Sequence, residues 1–383
     1  MKILHVLRAP VGGLFRHVVD LANGQTARGH EVGIIADRAS GNALSEAVLA
    51  RLAPKLALGL TRIPIRRNPH PADIAAIWRV ARRIHDTGAE IVHGHGAKGG
   101  ALARLAPCER PIVRAYTPHG GSLHDEVGSR LHLLMERMLM PLGRLYLFES
   151  AYSCGVYRRK VGEPGPIVRI VHNGIRRDEL EPIPLVQGAA DVVYLGELRD
   201  IKGVDVLIDA LAKVHQQGRA LAANLVGDGP DRAALQAKVE QAGLAGQIKF
   251  CGALPTREAF ALGRIVALPS RADSFPYVVL EAAGACKPLV TTDVGGIPEI
   301  FGPYAARLLP PDDSDLLAQS LLVAIDRPGD ALAAAQALRD RIASEFSVDK
   351  MIDAVLASYQ DARGMAHRAT GTQPAYSRPG VLT

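Results

Sequence analysis

Short apolar runs alternate along this chain with longer stretches whose apolar positions recur at helical spacing. The runs near 2–7, 31–36, 90–93, 111–116 and 167–171 read as buried strands. The stretches near 13–28, 43–53, 71–87, 98–106, 129–142 and 153–160 read as helices. Strand and helix in alternation give βαβ units, hence a parallel sheet covered by helices. The pattern resumes with strands near 191–196, 221–226, 247–250, 264–268 and 288–291, and with Ala/Leu-rich helices at 312–326 and 330–345. Between the two halves, the Pro-rich stretch 181–190 reads as a linker. A chain of 383 residues is too long for one ordinary core, so two domains are expected. From Gly364 to residue 383 the sequence is small, polar and twice interrupted by Pro, which predicts a disordered tail.

Composition narrows the class. Hydrophobic residues make up 48% but aromatics only 4%, so the cores are aliphatic, as in buried parallel sheets. Cys108, Cys154, Cys251 and Cys286 form no C-x-x-C pair and read as buried, reduced thiols of a cytoplasmic protein. The opening run Met1–Leu7 is too short for a signal-peptide core and reads as a first strand. No uninterrupted apolar stretch is long enough to span a bilayer, so a soluble or peripheral protein is expected. Charge is unevenly shared: residues 1–190 carry 26 Lys and Arg against 16 Asp and Glu, the remainder 19 against 23. Eleven of the thirteen histidines also lie in the first half. A basic half suggests an anionic partner such as a membrane surface or a phosphorylated lipid, against the ordinary reading of a solubilising surface. No nucleic-acid motif accompanies the charge, so nucleic acid is not expected.

The densest chemistry lies in Arg271-Ala-Asp-Ser-Phe-Pro-Tyr-Val-Val-Leu-Glu281-Ala-Ala-Gly284. Asp273 falls in a loop after an apolar strand, and Glu281 about one turn inside the following helix. Such a junction aims backbone N–H groups at an anion, while a carboxylate just inside it suits a diol. Two acids eight apart are common by chance, and a solvated helix face is the ordinary explanation. The surroundings outweigh it. Gly196 to Gly203, Gly227-Asp-Gly229-Pro230 and Gly295-Gly296 all follow strands, so several Gly-rich loops gather at one sheet edge.

Taken together, the Asp273/Glu281 pair, Gly196-x-Leu-x3-Lys202-Gly203, Gly227-x-Gly229-Pro230, Val171-His-Asn173-Gly174-Ile175, Gly12-Gly13 and Thr117-Pro-His119-Gly120 resemble the retaining glycosyltransferases of family 4 over about residues 1–360. The resemblance implies a GT-B α/β fold, two Rossmann-like domains facing a central cleft: an acceptor domain at 1–180, a nucleotide-sugar domain at 190–345, and a last helix near 348–360 crossing back. It also implies a nucleotide-diphosphate sugar as donor, a glycan or lipid-linked saccharide as acceptor, and neither metal nor other cofactor. On that basis Lys202 and Arg199 meet the leaving diphosphate, Asp273 the sugar hydroxyls, Glu281 the ribose, and His119 the donor sugar. Gly12, Gly13, Asn173 and Gly229 line the site, with Phe275 and Tyr277 offering N–H groups that Pro276 lacks. Glu197 stands where the family has an arginine, and Arg199 is the expected substitute.

Several residues admit two readings. His93 and His95 suggest an acceptor wall; as metal ligands they want a third partner that the sequence does not show. Glu149 reads as a helix-start charge ahead of an acid near the acceptor. Asp313-Ser-Asp315 reads as a helix cap rather than a metal motif. Trp78 beside Arg79, Arg82 and Arg83 suits an anionic membrane surface, although an amphipathic helix packed on the sheet explains it as well. The apolar run Leu131–Leu147 reads as core. Rival functions are a GT-B epimerase or phosphorylase-like enzyme and a sugar-nucleotide sensor that binds without transfer. A Rossmann dehydrogenase is disfavoured because Gly227-x-Gly229 lacks the third glycine of the dinucleotide fingerprint.

Overall fold

The computed structural model describes residues 1–120 and 129–369. The chain divides into two compact units. One comprises Met1–Phe148, Cys154–Val171 and the chain from Ile352 onward; the other comprises Glu149–Ser153 and His172–Met351. The chain therefore passes into the second unit at His172, ahead of the Pro-rich stretch 181–190.

The first unit holds β1 (Lys2–Leu7), β2 (Glu31–Asp37), β3 (Gly59–Ile63), β4 (Ile91–His95), β5 (Val113–Thr117), β6 (Leu145–Phe148) and β7 (Ile167–Ile170). They form one parallel sheet in the order β3-β2-β1-β4-β5-β6-β7. Ile3, Val6, Ile34, Ile35, Ile91 and Val92 are fully buried, as a sheet covered on both faces requires. The strand order reverses between β1 and β4, and a crevice at such a switch point is where open α/β sheets bind ligands.

The second unit repeats the design with β8 (Ala190–Leu195), β9 (Ala223–Val226), β10 (Ile248–Gly252), β11 (Gly263–Leu268) and β12 (Leu289–Thr291), all parallel in the order β10-β9-β8-β11-β12. Its switch point lies between β8 and β11. Val193, Leu207, Leu225, Val266 and Leu280 fill the core; truncating Leu207 to Ala there would cost about 2–5 kcal/mol. Both units are thus Rossmann-like α/β domains.

Three expectations change. β3 was not anticipated, because Thr61 and Arg62 break its apolar run. The stretch Leu131–Leu147 is not one core segment: Ser129–Leu139 is a helix anchored by Glu136, which pairs with Arg104 and accepts from Tyr116. Leu131, Leu134, Met138 and Leu142 are exposed, and only from Leu145 does β6 enter the core. The helix Asp73–Thr87 packs Ala76, Val80 and Ile84 into the core as the amphipathic reading expects, and leaves Ile74 and Trp78 each 63% exposed on its other side. The last helix runs Val348–Ala369, so 364–369 are helical where disorder was expected, and 370–383 lie outside the described residues.

Candidate functional site

In the second unit, the loop after β8 ends in the short turn Asp200–Lys202 and passes through Gly203 into the helix Val204–Gln216. The loop after β11 carries Asp273 and passes through Pro276 into the helix Tyr277–Gly284. Because β8 and β11 are neighbours, these loops meet, and the Lys202 ammonium donates to Asp273 Oδ2. Both side chains remain partly open, at 26% and 16% exposure, so a ligand can reach the pair. The structure thus brings together two residues that the sequence placed on opposite parts of one donor.

Arg271, not singled out from sequence, holds the two loops in place. Its guanidinium donates to both oxygens of Asp205 at 2.7 and 2.8 Å, to Asp312 at 2.6 Å and to Asp200 at 3.1 Å. Its N–H donates to Ile201 O at 2.9 Å. A planar fork with its donors so committed positions Lys202 rather than meeting a ligand. Arg199 is freer, with Nε 3.7 Å from Glu197 Oε1 and both side chains at least 40% exposed. The Gly-rich turn after β12 seats the Asp273 loop: a Cβ on Gly295, at φ +62, would fall 1.4 Å from Asp273 O.

Several other residues expected at the site have side-chain or backbone contacts of their own. A Cβ on Gly229 would meet Leu198 O at 2.3 Å, so this glycine lets two loops touch. Asn173 is buried, and its Nδ2 donates to Phe275 O at 2.9 Å. Phe275 is buried and stacks on His172 at 4.8 Å. Tyr277 is buried too, its hydroxyl 3.9 Å from Met351 Sδ. These three shape the Asp273 loop from beneath. No side chain caps the helix that Tyr277 opens. Glu281 accepts from Thr256 Oγ1 at 3.3 Å and is partly exposed.

Glu149 departs from its sequence reading. It lies just ahead of the helix Ala151–Lys160 but is only 3% exposed, so it is not simply a charge at a helix start. Burial first, with Asp273 and Glu299 adding to it, pushes its pKa up to about 7 against the hydrogen bond from Ser274. Its Oε2 has no partner among the described residues. A buried carboxyl with an unmatched oxygen is held neutral unless a donor arrives.

The first unit answers with histidines. His95 ends β4, His119 follows β5, and His5 lies inside β1 beside them. The contacts run Gln25 Oε1–His5 Nε2 at 2.9 Å, His5 Nδ1–His95 Nε2 at 2.9 Å and His95 Nδ1–His119 Nε2 at 3.1 Å. A neutral imidazole has one donor and one acceptor. With the Gln25 carbonyl at one end, His5 donates to it, His95 donates to His5, and His119 donates to His95. His119 Nδ1 is left as an acceptor. Burial holds His5 near pKa 4 and His95 and His119 well below the usual histidine value, so the chain is neutral. His119 is held at φ +55, a strained conformation costing about 1–3 kcal/mol that clusters at functional sites.

His93 and His95 are fully buried and so do not form an exposed acceptor wall. His93 binds the Tyr359 hydroxyl at 2.7 Å and Thr117 Oγ1 at 2.8 Å. The third partner absent from local sequence is His5; the ligand atoms of His5, His93 and His95, and those of His17, His95 and His119, lie within 4.8 Å of one another. The hydrogen bonds just described use both ring nitrogens of His5, His93 and His95. Gly12 and Gly13 are exposed and open the helix Gly12–Ala27, which no side chain caps. Asp313 caps its helix through Leu316 N.

Residues 11–179 match the family model described as Glycosyltransferase Family 4, and residues 189–327 the model described as Glycosyl transferases group 1. The 2-deoxystreptamine glucosyltransferase of Streptomyces kanamyceticus is 27% identical over 55% of this chain and 58% of its own length. The glycogen synthase of Mycobacterium tuberculosis is 24% identical over 92% of each. Among solved structures, Anabaena HepE in complex with UDP-glucose superposes with a TM-score of 0.80 at 21% identity, covering 94% of this chain and all of that one. This last likeness is one of fold.

Proposed function

The chain belongs to glycosyltransferase family 4, and we propose that it moves a hexose from a nucleoside diphosphate sugar to a glycan or lipid-linked saccharide, with retention of configuration and without a metal. The carrying observation is the Lys202–Asp273 pair at the switch point of the second sheet. In the free protein each neutralises the other. A diphosphate takes Lys202, and Asp273 is then free to accept from sugar hydroxyls. The ammonium opposes the charge that grows on the leaving diphosphate, the kind of preorganised stabilisation that usually dominates such rate enhancements. Arg199 adds to it from solvent, and Glu281 accepts from the ribose. In the first unit, His119 Nδ1 offers an acceptor to a sugar hydroxyl without introducing charge. UDP-glucose is the ligand of Anabaena HepE, which supports a nucleotide sugar here.

No helix among the described residues is long and apolar enough to cross a membrane. The exposed face Ile74, Trp78, Arg79 and Arg82 supports reversible contact with an anionic surface. The function is tested by incubating the protein with nucleotide sugars, with and without saccharide acceptors. Acceptor-dependent release of nucleoside diphosphate that persists in EDTA is expected, with product NMR showing the donor's anomeric configuration. An altered sugar nucleotide formed without acceptor would instead mark an epimerase, and activity restored only by Mn²⁺ would contradict the metal-free reading.

A further inference from the structure

The first sheet ends in a second feature, separate from the histidine chain. Arg8 follows β1, Arg38 follows β2, and Arg66 and Arg67 follow β3, so neighbouring strands deliver four arginines to one edge. They line a cleft of about 690 Å³ that also includes Ser40 and His70. The only carboxylate in it, Asp37, is already engaged: Oδ2 accepts from Ser40 N and Oγ at 2.8 and 2.6 Å, and Oδ1 from Ile65 N at 2.8 Å. Among the described residues, none of the four guanidinium groups has a hydrogen bond or ion pair. Burial first, and then the nearby Arg67, depress the pKa of Arg8 below the ordinary arginine value, with Asp37 acting against both.

The backbone here is fixed even though the arginine heads are not. Asp37 pins Ile65 N, and Lys98 pins Asn68 O at 3.0 Å while pairing with Asp73. Like charges gathered in one cleft repel, and folding gains nothing from leaving them unpaired. A guanidinium fork matches phosphate oxygens, and several together suit a phosphate carrying more than one charge. We propose that this cleft binds a phosphate or diphosphate group borne by the saccharide acceptor, either soluble or as a lipid headgroup. The inference rests on the reading of the chain as a transferase and names its acceptor class.

Calorimetry with inorganic pyrophosphate on the full chain tests it. Two sites are expected, because the Lys202 loop also takes diphosphate. Lys202→Ala should leave the cleft site, whereas Arg8→Gln/Arg67→Gln should remove it, weakening it at least tenfold, and leave the other. Added salt should weaken the cleft site. Melting of the double variant should stay close to wild type, because neither guanidinium has a hydrogen bond or ion pair to lose among the described residues. If the arginine variant keeps both sites, the cleft is not a phosphate site, whatever becomes of the donor reading. If instead one site is seen that survives Lys202→Ala and falls with the arginines, the cleft stands and the donor reading fails. Phosphatidylcholine vesicles doped with phosphatidic acid separate the sources. Sedimentation of the wild type that pyrophosphate reverses assigns the lipid headgroup. No sedimentation, with pyrophosphate still bound, assigns a soluble phosphate.

Discussion

The two units build one sheet plan twice and load its switch point with opposite chemistry. In the second unit, charged groups meet, Lys202 on Asp273 and Arg271 among three aspartates, with the buried Glu149 carboxyl nearby. In the first, neutral imidazoles are linked end to end from Gln25 to His119. The fold supplies the place, and the residues at the strand ends decide what it can hold. A charged site suits a diphosphate leaving group; a neutral hydrogen-bonded one suits hydroxyls.

Acid should reveal the largest difference. His5 titrates near 4 in the folded chain and near 6.5 when unfolded. Between those values the unfolded state binds the extra proton, so stability present above pH 6.5 is lost as pH falls toward 4. One histidine accounts for on the order of 3 kcal/mol, and His93, His95 and His119 shift the same way. Urea unfolding at pH 7 and pH 5 measures it. Equal stability at both would mean that the histidines are not buried neutral.

Glu149 has the opposite sign. Its folded pKa is raised, so its contribution is present below about 4.5 and disappears as pH rises through about 7. Glu149→Gln should therefore stabilise the chain at pH 8 by roughly 3 kcal/mol and change little at pH 4. Stabilisation of the same size at both pH values would remove the buried proton from the account.

Next in size come the loop cations. Lys202→Ala should lower turnover on the order of 10²-fold at saturating donor. Arg199→Ala should cost less than tenfold, because exposed charges couple weakly. Equal losses would place Arg199 on the diphosphate as firmly as Lys202.

The smallest effect concerns the surface. Each basic residue near an anionic leaflet contributes about 1 kcal/mol, screened within about 10 Å at 0.1 M salt. Replacing Arg79 and Arg82 with Ser should reduce low-salt sedimentation with phosphatidylglycerol vesicles. An unchanged response would return this helix to ordinary packing.

The strands and the site loops could be read locally because parallel strands are continuous apolar runs and Gly-rich turns follow them. The edge strand Gly59–Ile63 could not, since half-buried residues blur the signal. The apolar stretch from Leu131 misled because its helix is anchored by the ionic pair Glu136–Arg104, leaving leucines outside. Arg271 was hidden for another reason: its partners Asp200, Asp205 and Asp312 lie far away in sequence. His5 escaped as a strand residue, although the crowding of histidines into the first half was a signal. Glu149 reads as a helix-start charge from its position alone; only the packing shows it buried.

The charged loops of the second unit are proposed to hold a nucleoside diphosphate sugar. Thermal shift with uridine, guanosine and adenosine diphosphate sugars, on wild type, Lys202→Ala and Glu281→Ala, tests it most directly. At a hundredfold excess over its dissociation constant, the right donor stabilises by about 2.7 kcal/mol. Losing one charge-assisted bond of about 1.5–3 kcal/mol should weaken that donor by tenfold or more. One base should shift the wild type, and both variants should lose most of the shift. A shift of equal size in all three proteins, or none with any donor, would contradict it.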